Sequence, residues 1–559
     1  MLNSLIIFYC TYMRCFIDRF EEQVKSCWSS PSLGNYKAKP MSYGEMASEI
    51  AILHTLFSEV GLVKGDKIAI NAAGSANWGK TFMATVTGGY VATVLFNGFL
   101  PTDTQRMVDH SDSRLLYTEK SAFDKMDFEA MPKLLGVIDI KTGHVLASRD
   151  YFGYLYENRR RIFSLKYPMG LNPEDVVYPQ LDTDDICCML YTSGSTGTPK
   201  GVMLSVGSIS SNVEQFITTQ PYHHGDRYLS LLPLSHIFGL VADLLCPLCI
   251  GMHVTILGMP PIPKVLKEAL CTVKPRVIMM VPLVLTKIVE YAIGEFVHSK
   301  TGQERLAAYK ENTDFCSALR IILMSALGGR AELIMTGGAA LPVEMEKLLI
   351  QKLSMPLVTG YGMTECGPLI SIGRLENYQM KSVGVIVDGM EAKIDSIDPC
   401  NVAGELLVRG VNLFKGYYKN ENANLQYFTP DGWFHTGDLG MLHENNHLFL
   451  VGRCKSMLLS TNGQNIFPEE IEVILNTLPY VGESLIVQRD NHLAAIVVPD
   501  TVALERDNID NHSLRAVMNE NIRRLNDSIP AYESIAAYEL RFEPFAKTPK
   551  GSIKRFLYA

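Results

Sequence analysis

The chain lacks an excess of basic charge: 51 Lys and Arg stand against 59 Asp and Glu, a net charge of −8, which removes any global nucleic-acid footprint. Its Gly- and Ser-rich stretch at 191–201 does not follow the GxxxxGK[ST] pattern, so ordinary P-loop chemistry is unsupported there. No Gly-x-Ser-x-Gly nucleophile elbow occurs. Twelve cysteines in 559 residues are too sparse for a disulfide framework and point to a reduced, cytoplasmic setting. Cys246-Pro247-Leu248-Cys249 has CxxC spacing but no second ligand pair, and its apolar surroundings favour buried small hydrophobes. Internal repeats and low-complexity tracts are absent. The one apolar stretch long enough to span a bilayer, residues 239–258, is interrupted by Asp243, Pro247, Gly251 and His253, and reads as a buried helix followed by a strand at 252–257. Residues 2–13 are apolar but too short to span, with no leading charge or small-residue cleavage site. They read as a docking helix or packed arm, a route to peripheral membrane contact.

What is present is a globular composition, 47% hydrophobic and 20% charged, in a chain long enough for more than one domain. Strand-like and helix-like segments alternate: strand 66–72, helix 75–89, strands 92–96 and 115–117, helix 206–219, strand 227–232. The pattern continues with helix 263–273, strand 276–281, helix 283–298, strand 333–335 and helix 342–353, the last with Pro342 near its first position. Such alternation predicts an α/β fold with βαβ units and a largely parallel sheet. After about residue 380 the segments shorten to strands at 385–387, 392–394, 405–409 and 447–451, a small β-rich subdomain. A smaller α+β domain then follows, with a helix opened by Pro468-Glu469-Glu470, strands at 484–488 and 493–498, and a helix at 512–526. The expected division is 1–453 and 454–559.

Between two apolar strand-like runs lies Tyr191-Thr192-Ser193-Gly194-Ser195-Thr196-Gly197-Thr198-Pro199-Lys200-Gly201. Glycines let the backbone turn tightly and approach a ligand, hydroxyls and freed N–H groups surround an anion, and Lys200 adds a full positive charge. A flexible linker seldom sits between two buried strands, so this reads as a phosphate-handling loop. Further along, Tyr361-Gly362-Met363-Thr364-Glu365 places together an aromatic able to stack on a purine, a hydroxyl for phosphate and a carboxylate for Mg²⁺; a plain strand-to-helix turn is the alternative. Trp433-Phe434-His435-Thr436-Gly437-Asp438 ends a tight turn in a carboxylate, a suitable acceptor for both hydroxyls of a ribose.

The 191–201 stretch resembles the phosphate loop of the adenylate-forming (AMP-binding) superfamily, and the likeness runs in order from about residue 40 to the C-terminus. It is nearest to the long-chain fatty acyl-CoA synthetases, partly through residues 317–341. The resemblance implies an ATP- and Mg²⁺-dependent ligase that joins a fatty acid to coenzyme A through an acyl-adenylate, releasing AMP and pyrophosphate. Thr192, Ser193, Gly194, Ser195, Thr196, Gly197 and Lys200 would handle phosphate, with Thr196 and Glu365 on the metal and Thr364 beside the phosphate. Tyr361 and Gly362 would hold adenine, Asp438 the ribose, and Arg453 ribose and phosphate. Gly337, Gly338, Ala339 and Ala340 would form the wall between nucleotide and acyl pockets, and the segment containing His236 and Phe238 would line the acyl pocket. The family's small domain rotates between half-reactions about a hinge that corresponds to Lys455, and Gly463 matches the glycine beside the pantetheine arm.

One position departs from that pattern. In Lys547-Thr548-Pro549-Lys550-Gly551-Ser552-Ile553-Lys554-Arg555 the position of the family's adenylation lysine holds Ser552, which cannot supply a cation. Lys550 is the preferred substitute, with Lys554 as the other. Two rival functions stay open: transfer to an acyl carrier protein, and a non-catalytic acyl- or nucleotide-binding relative. The partners expected are small molecules and not nucleic acid.

Overall fold

The computed structural model describes residues 14–192, 199–459, 465–489, 492–548 and 553–558. Its first helix, Phe16–Ser26, buries Phe16, Ile17, Phe20 and Val24 in the main core. The helix docks on Val206–Thr219, where the Phe16 amide donates to Ser210 Oγ at 3.1 Å and Arg19 pairs with Glu214 at 2.5 Å. Residues 2–13 lie outside the described residues. Among those described, no helix is long and apolar enough to cross a membrane.

The large domain is built on four sheets. The widest runs, in order, Val145–Ser148, Gly136–Asp139, Ser113–Thr118, Lys67–Asn71, Val91–Leu95, Ile186–Thr192 and Lys200–Ser205. Its five inner strands are parallel, as the alternation predicts, and its two outer strands are antiparallel. The phosphate-loop strands form such an edge pair because their connection is too short for the crossover that parallel strands need. A second sheet orders Val277–Met280, Leu333–Thr336 and Leu357–Gly362 in parallel, then turns antiparallel through Leu369–Ile372 and Val385–Ile386. A third joins Arg227–Ser230, His253–Ile256, Pro31–Asn35 and Met41–Ser42. The fourth, Met390–Asp395, Gly404–Gly410, Phe434–Leu442 and Leu448–Arg453, is antiparallel throughout and is the expected β-rich subdomain.

Local chemistry explains the helix starts. Pro263–Val273, Pro282–His298 and Pro468–Leu475 each begin on a proline, whose fixed φ and missing N–H suit the first turn. Tyr43–Glu59 begins with a capping box: Ser42 Oγ accepts the Glu45 amide at 3.0 Å and Glu45 Oε2 accepts the Ser42 amide at 2.8 Å. The helix read at 342–353 starts at Val343 with Pro342 just before it, and from Lys347 to Lys352 it widens to π geometry.

The small domain has cores of its own. Val481–Arg489, His492–Pro499 and Ile535–Leu540 form one sheet. Ile486, Ala495 and Val497 pack on one face with Leu475, Leu514 and Leu525; Leu485, Val487 and Ile496 pack on the other with Phe545. Period-two alternation thus covers both faces. The helix Pro468–Leu475 meets the end of the large domain at Gly452, where an added Cβ would stand 3.3 Å from the Phe467 ring.

Candidate adenylate-forming site

The candidate residues collect at the carboxyl ends of strands, where open α/β sheets bind ligands. Leu333–Thr336 runs straight into Gly337, and Leu357–Gly362 ends on Tyr361 and Gly362. Gly337 is buried: an added Cβ would lie 3.1 Å from the Gly360 carbonyl and 3.6 Å from the Phe238 ring. Gly338 has φ +81° with open space beside it, and Ala339 and Ala340 are exposed. The result is a ledge with a free outer face. His236 is half-buried against Phe96, ring centroids 5.0 Å apart, and Phe238 stacks on Phe216 at 6.3 Å.

Asp438 and Arg453 face each other across adjacent antiparallel strands. Arg453 Nε donates to Asp438 Oδ1 at 3.0 Å, and Tyr361 Oη donates to Asp438 Oδ2 at 2.5 Å. Asp438 is 5% exposed. Burial pushes its carboxyl up from the ordinary aspartate range, while Arg453 and the Tyr361 hydroxyl oppose that shift. Burial and the same carboxylate raise Tyr361. The turn that delivers Asp438 is fixed by Glu405, which accepts the Gly437 amide at 3.1 Å and the His435 ring at 2.9 Å. Gly437 has φ +73°, a conformation that favours glycine. Each Asp438 oxygen keeps a further lone pair, so a diol has acceptors here.

Glu365 follows on the same segment and is 8% exposed. Its backbone carbonyl accepts the Phe414 amide at 2.8 Å, and Oε1 accepts the Tyr417 hydroxyl at 2.9 Å. Thr364 opens the short 3-10 turn that carries it. Asn212, from the helix Val206–Thr219, staples this turn: Nδ2 donates to the Cys366 carbonyl at 3.0 Å and Oδ1 accepts the Leu369 amide at 2.7 Å. Gly362 is required, since an added Cβ would stand 1.9 Å from the Pro368 carbonyl.

The phosphate-loop hairpin joins this cluster through a segment that sequence reasoning missed. Thr192 and Lys200 are cross-strand partners at the mouth of the loop, whose Ser193, Gly194, Ser195, Thr196 and Gly197 lie outside the described residues. Residues 415–418 run along the outer edge of the hairpin, with backbone hydrogen bonds at 2.8, 2.8 and 3.1 Å to Met203 and Gly201. That edge pairing brings Tyr417 beneath Lys200: the ammonium sits 4.9 Å from the Tyr417 ring centre and 4.5 Å from that of Tyr427. Lys200, Tyr417 and Glu365 therefore form a continuous run from cation to ring to carboxylate. The only sequence signal was the aromatic pair after a glycine in Gly416-Tyr417-Tyr418.

Tyr418 anchors the segment from behind, donating to Asp112 Oδ2 at 2.6 Å, while Lys133 and Lys419 reach Asp112 Oδ1 at 2.6 and 2.9 Å. Burial disfavours the Asp112 carboxylate, but Lys133, Lys419 and Tyr418 outweigh it and hold the group well below the usual range. Beside it, the Tyr191 hydroxyl and His110 Nδ1 share a hydrogen bond of 2.6 Å. Cys246 and Cys249 are buried, and burial raises both thiols, as expected of packed small side chains.

The candidates Lys455, Gly463, Lys550 and Lys554, and the departing position Ser552, belong to the small domain. Lys455 is described and exposed, directly after the final strand of the large domain. Gly463, Lys550 and Ser552 lie outside the described residues; Lys554 is described, its amide donating to the Ala546 carbonyl at 2.8 Å. Two surface cavities, of about 560 Å³ beside Arg515 and Tyr538 and about 410 Å³ beside Arg19 and His224, are both away from the cluster.

A nucleotide fits the donor set: a buried carboxylate for a diol, an arginine beside it, and a lysine at the mouth of a hydroxyl-rich loop. The described residues hold no group of three His, Cys, Asp or Glu able to cage a metal. One buried carboxylate, Glu365, suits Mg²⁺ carried mainly by phosphates and water.

Comparison with known proteins identifies the family and the fold. Residues 20–418 match the AMP-binding enzyme family, and residues 455–558 match the AMP-binding enzyme C-terminal domain. Long chain acyl-CoA synthetase 3 of Arabidopsis thaliana is 27% identical over 87% of this chain and 79% of its own length. 4-Coumarate–CoA ligase of Vanilla planifolia is 26% identical over 84% of this chain and 81% of its own. The fold matches the anthranilate CoA ligase AuaEII in complex with anthranoyl-AMP, with a TM-score of 0.77 at 19% identity over 98% of this chain and 96% of that one. It also matches the o-succinylbenzoate coenzyme A synthetase MenE of Bacillus subtilis in complex with AMP, with a TM-score of 0.72 at 20% identity over 97% of each chain. The chain belongs to the AMP-binding enzyme family.

Proposed function

We propose that the protein is an AMP-forming acid–thiol ligase that activates long-chain fatty acids and passes them to coenzyme A. The observation that carries this reading is the run Lys200–Tyr417–Glu365 beside the Tyr361–Asp438–Arg453 triad. Acid–thiol ligation is the chemistry named for the curated relatives. The choice of a long chain rests on the synthetase of Arabidopsis thaliana and on Long-chain-fatty-acid–CoA ligase 2 of Schizosaccharomyces pombe, 27% identical over 90% of this chain and 76% of its own.

In the first half-reaction a carboxylate oxygen attacks the α-phosphorus of ATP, the new O–P bond forms, and the bond to pyrophosphate breaks. No protein nucleophile is needed; alignment and charge compensation carry the rate. Asp438 and Arg453 orient the ribose, and Tyr361 holds Asp438 while offering its ring to adenine. Lys200 and the hydroxyls of 192–198 offset charge on the departing pyrophosphate. Glu365 would hold Mg²⁺, which when bound neutralises phosphate charge. Lys550 supplies the cation that Ser552 cannot. In the second half-reaction the coenzyme A thiolate attacks the acyl carbon, AMP leaves, and a thioester forms; Lys455 marks the hinge of the intervening rotation and Gly463 the path of the pantetheine arm. The protein acts in the cytoplasm, with peripheral membrane contact through residues 2–13.

Product analysis tests the substrate. The protein is supplied with ATP, Mg²⁺ and coenzyme A, then with palmitate, octanoate or 4-coumarate, and the thioesters are separated. A palmitoyl thioester formed at least tenfold faster than the others supports the proposal. Preference for 4-coumarate moves the assignment to aromatic acids, and transfer only to an acyl carrier protein moves the acceptor.

A further inference from the structure

Asp243 is 0% exposed and lies inside an apolar core. A carboxylate there is costly unless its lone pairs are met. They are met by a single loop: Oδ2 accepts the amides of Leu231 and Leu232, both at 2.8 Å, and Oδ1 accepts the Tyr228 hydroxyl at 2.8 Å. Those donors lie within the strand Arg227–Ser230, at Tyr228, and just beyond it, at Leu231 and Leu232. Asp243 itself sits on the π-helical turn Gly239–Leu245, all of whose residues are buried. The loop 231–238 is thus tied at its entrance to the helix that follows its exit. The exit is equally close: an added Cβ at Gly239 would stand 2.4 Å from the Pro233 carbonyl, and the Leu240 amide donates to His236 at 2.8 Å.

We propose that Asp243 is the positioning residue of the acyl-binding segment, fixing where Phe238 stands against the Gly337 ledge and where His236 stands against Phe96. The proposal rests on the acid-activating function given above. Phe238 reaches the ledge, and His236 packs on Phe96, so a shift of this loop moves the acid side of the site directly. The nucleotide side depends on other anchors, Glu405 for Asp438 and Asn212 for Glu365, which Asp243 does not touch. Its effect is therefore selective for the acid.

Burial pushes the Asp243 carboxyl up to about 7. A protonated carboxyl keeps both amide contacts on Oδ2 and turns its own O–H toward Tyr228, the pattern an asparagine reproduces. Asp243→Asn is accordingly the conservative variant, and Asp243→Leu the disruptive one of similar size.

The test uses the full chain and two readouts. In acid-dependent pyrophosphate exchange, Asp243→Leu should raise KM for the preferred acid tenfold or more and flatten the chain-length profile. KM for ATP should stay within about twofold, and Asp243→Asn should return KM for the acid to within about threefold of the parent. Hydrogen exchange is read on the 228–239 peptide without substrate; in Asp243→Leu it should accelerate there and remain unchanged over 360–370. Equal changes in both KM values, or no acceleration over 228–239, would overturn the proposal. A parent protein with no exchange for any acid overturns the functional assignment instead, and hydrogen exchange still decides whether Asp243 fixes the loop.

Discussion

The large-domain cleft and the small domain place their functional residues in different surroundings. In the cleft, each key side chain has a fixed partner: Tyr361 and Arg453 on Asp438, Tyr417 on Glu365, two aromatic rings around Lys200. Behind these stand Glu405, Asn212 and Asp112, holding the turns that carry them. The described residues of the small domain pack into two apolar cores of their own, and Lys455 lies exposed on the link between the domains. A site that must stabilise charge in place benefits from partners set in advance. A domain that must turn between two steps benefits from an independent core and a light interface. On the proposed function, the large domain holds most of the adenylating groups in place, and the small domain supplies Lys550 for that step and Lys455 for the one that follows.

The largest effect should come from breaking the fixed half. Glu365→Gln or Asp438→Ala is expected to lower kcat/KM for adenylation by about a thousandfold, roughly 4 kcal/mol of transition-state stabilisation, read by pyrophosphate exchange. Next come the lysines, which should separate the half-reactions. Lys455→Ala should slow thioester formation by about a hundredfold with exchange nearly unchanged, and Lys550→Ala should do the reverse; rapid-quench measurement of acyl-adenylate and thioester resolves the two.

Acid should weaken the large domain in particular. Neutral His54 donates to the Ala84 carbonyl at 2.8 Å, and burial lowers its pKa to about 4 against an ordinary 6.5. Between those values the unfolded chain takes up a proton that the folded chain refuses. The stability is fully present above pH 6.5 and is lost as pH falls towards 4, by about 2 kcal/mol after allowance for partial exposure. Melting temperature against pH should show this slope, and His54→Gln should flatten it. The smallest change is expected for Tyr417→Phe, which keeps the ring under Lys200 and deletes only the donor to Glu365. A loss of about tenfold in adenylation, with ATP affinity little altered, would show that the hydroxyl orients the carboxylate.

The parallel core and the three site motifs were legible in the sequence because each is local: strand runs bounded by turns, and functional groups within a few residues of one another. The helix Tyr43–Glu59 was passed over because it is buried on nearly every side, so its apolar residues show no clean period; its capping box Ser42–Glu45 was the available signal. Tyr417 was invisible for another reason. Its importance lies in contacts with Glu365, 52 residues away, and with Lys200, and Tyr418 reaches Asp112 across 306 residues. Such pairings depend on the edge strand that 415–418 adds to the hairpin, which no local pattern announces. Asp243 was read as an interruption of an apolar run, and the fold turns it into an anchor.

The most direct test of adenylation in the large-domain cleft is acid-dependent exchange of labelled pyrophosphate into ATP, over acids of increasing chain length, for the parent protein and for Glu365→Gln. Exchange that peaks with long chains and falls about a thousandfold in the variant is the predicted result. Firm ATP binding with no exchange for any acid would contradict it.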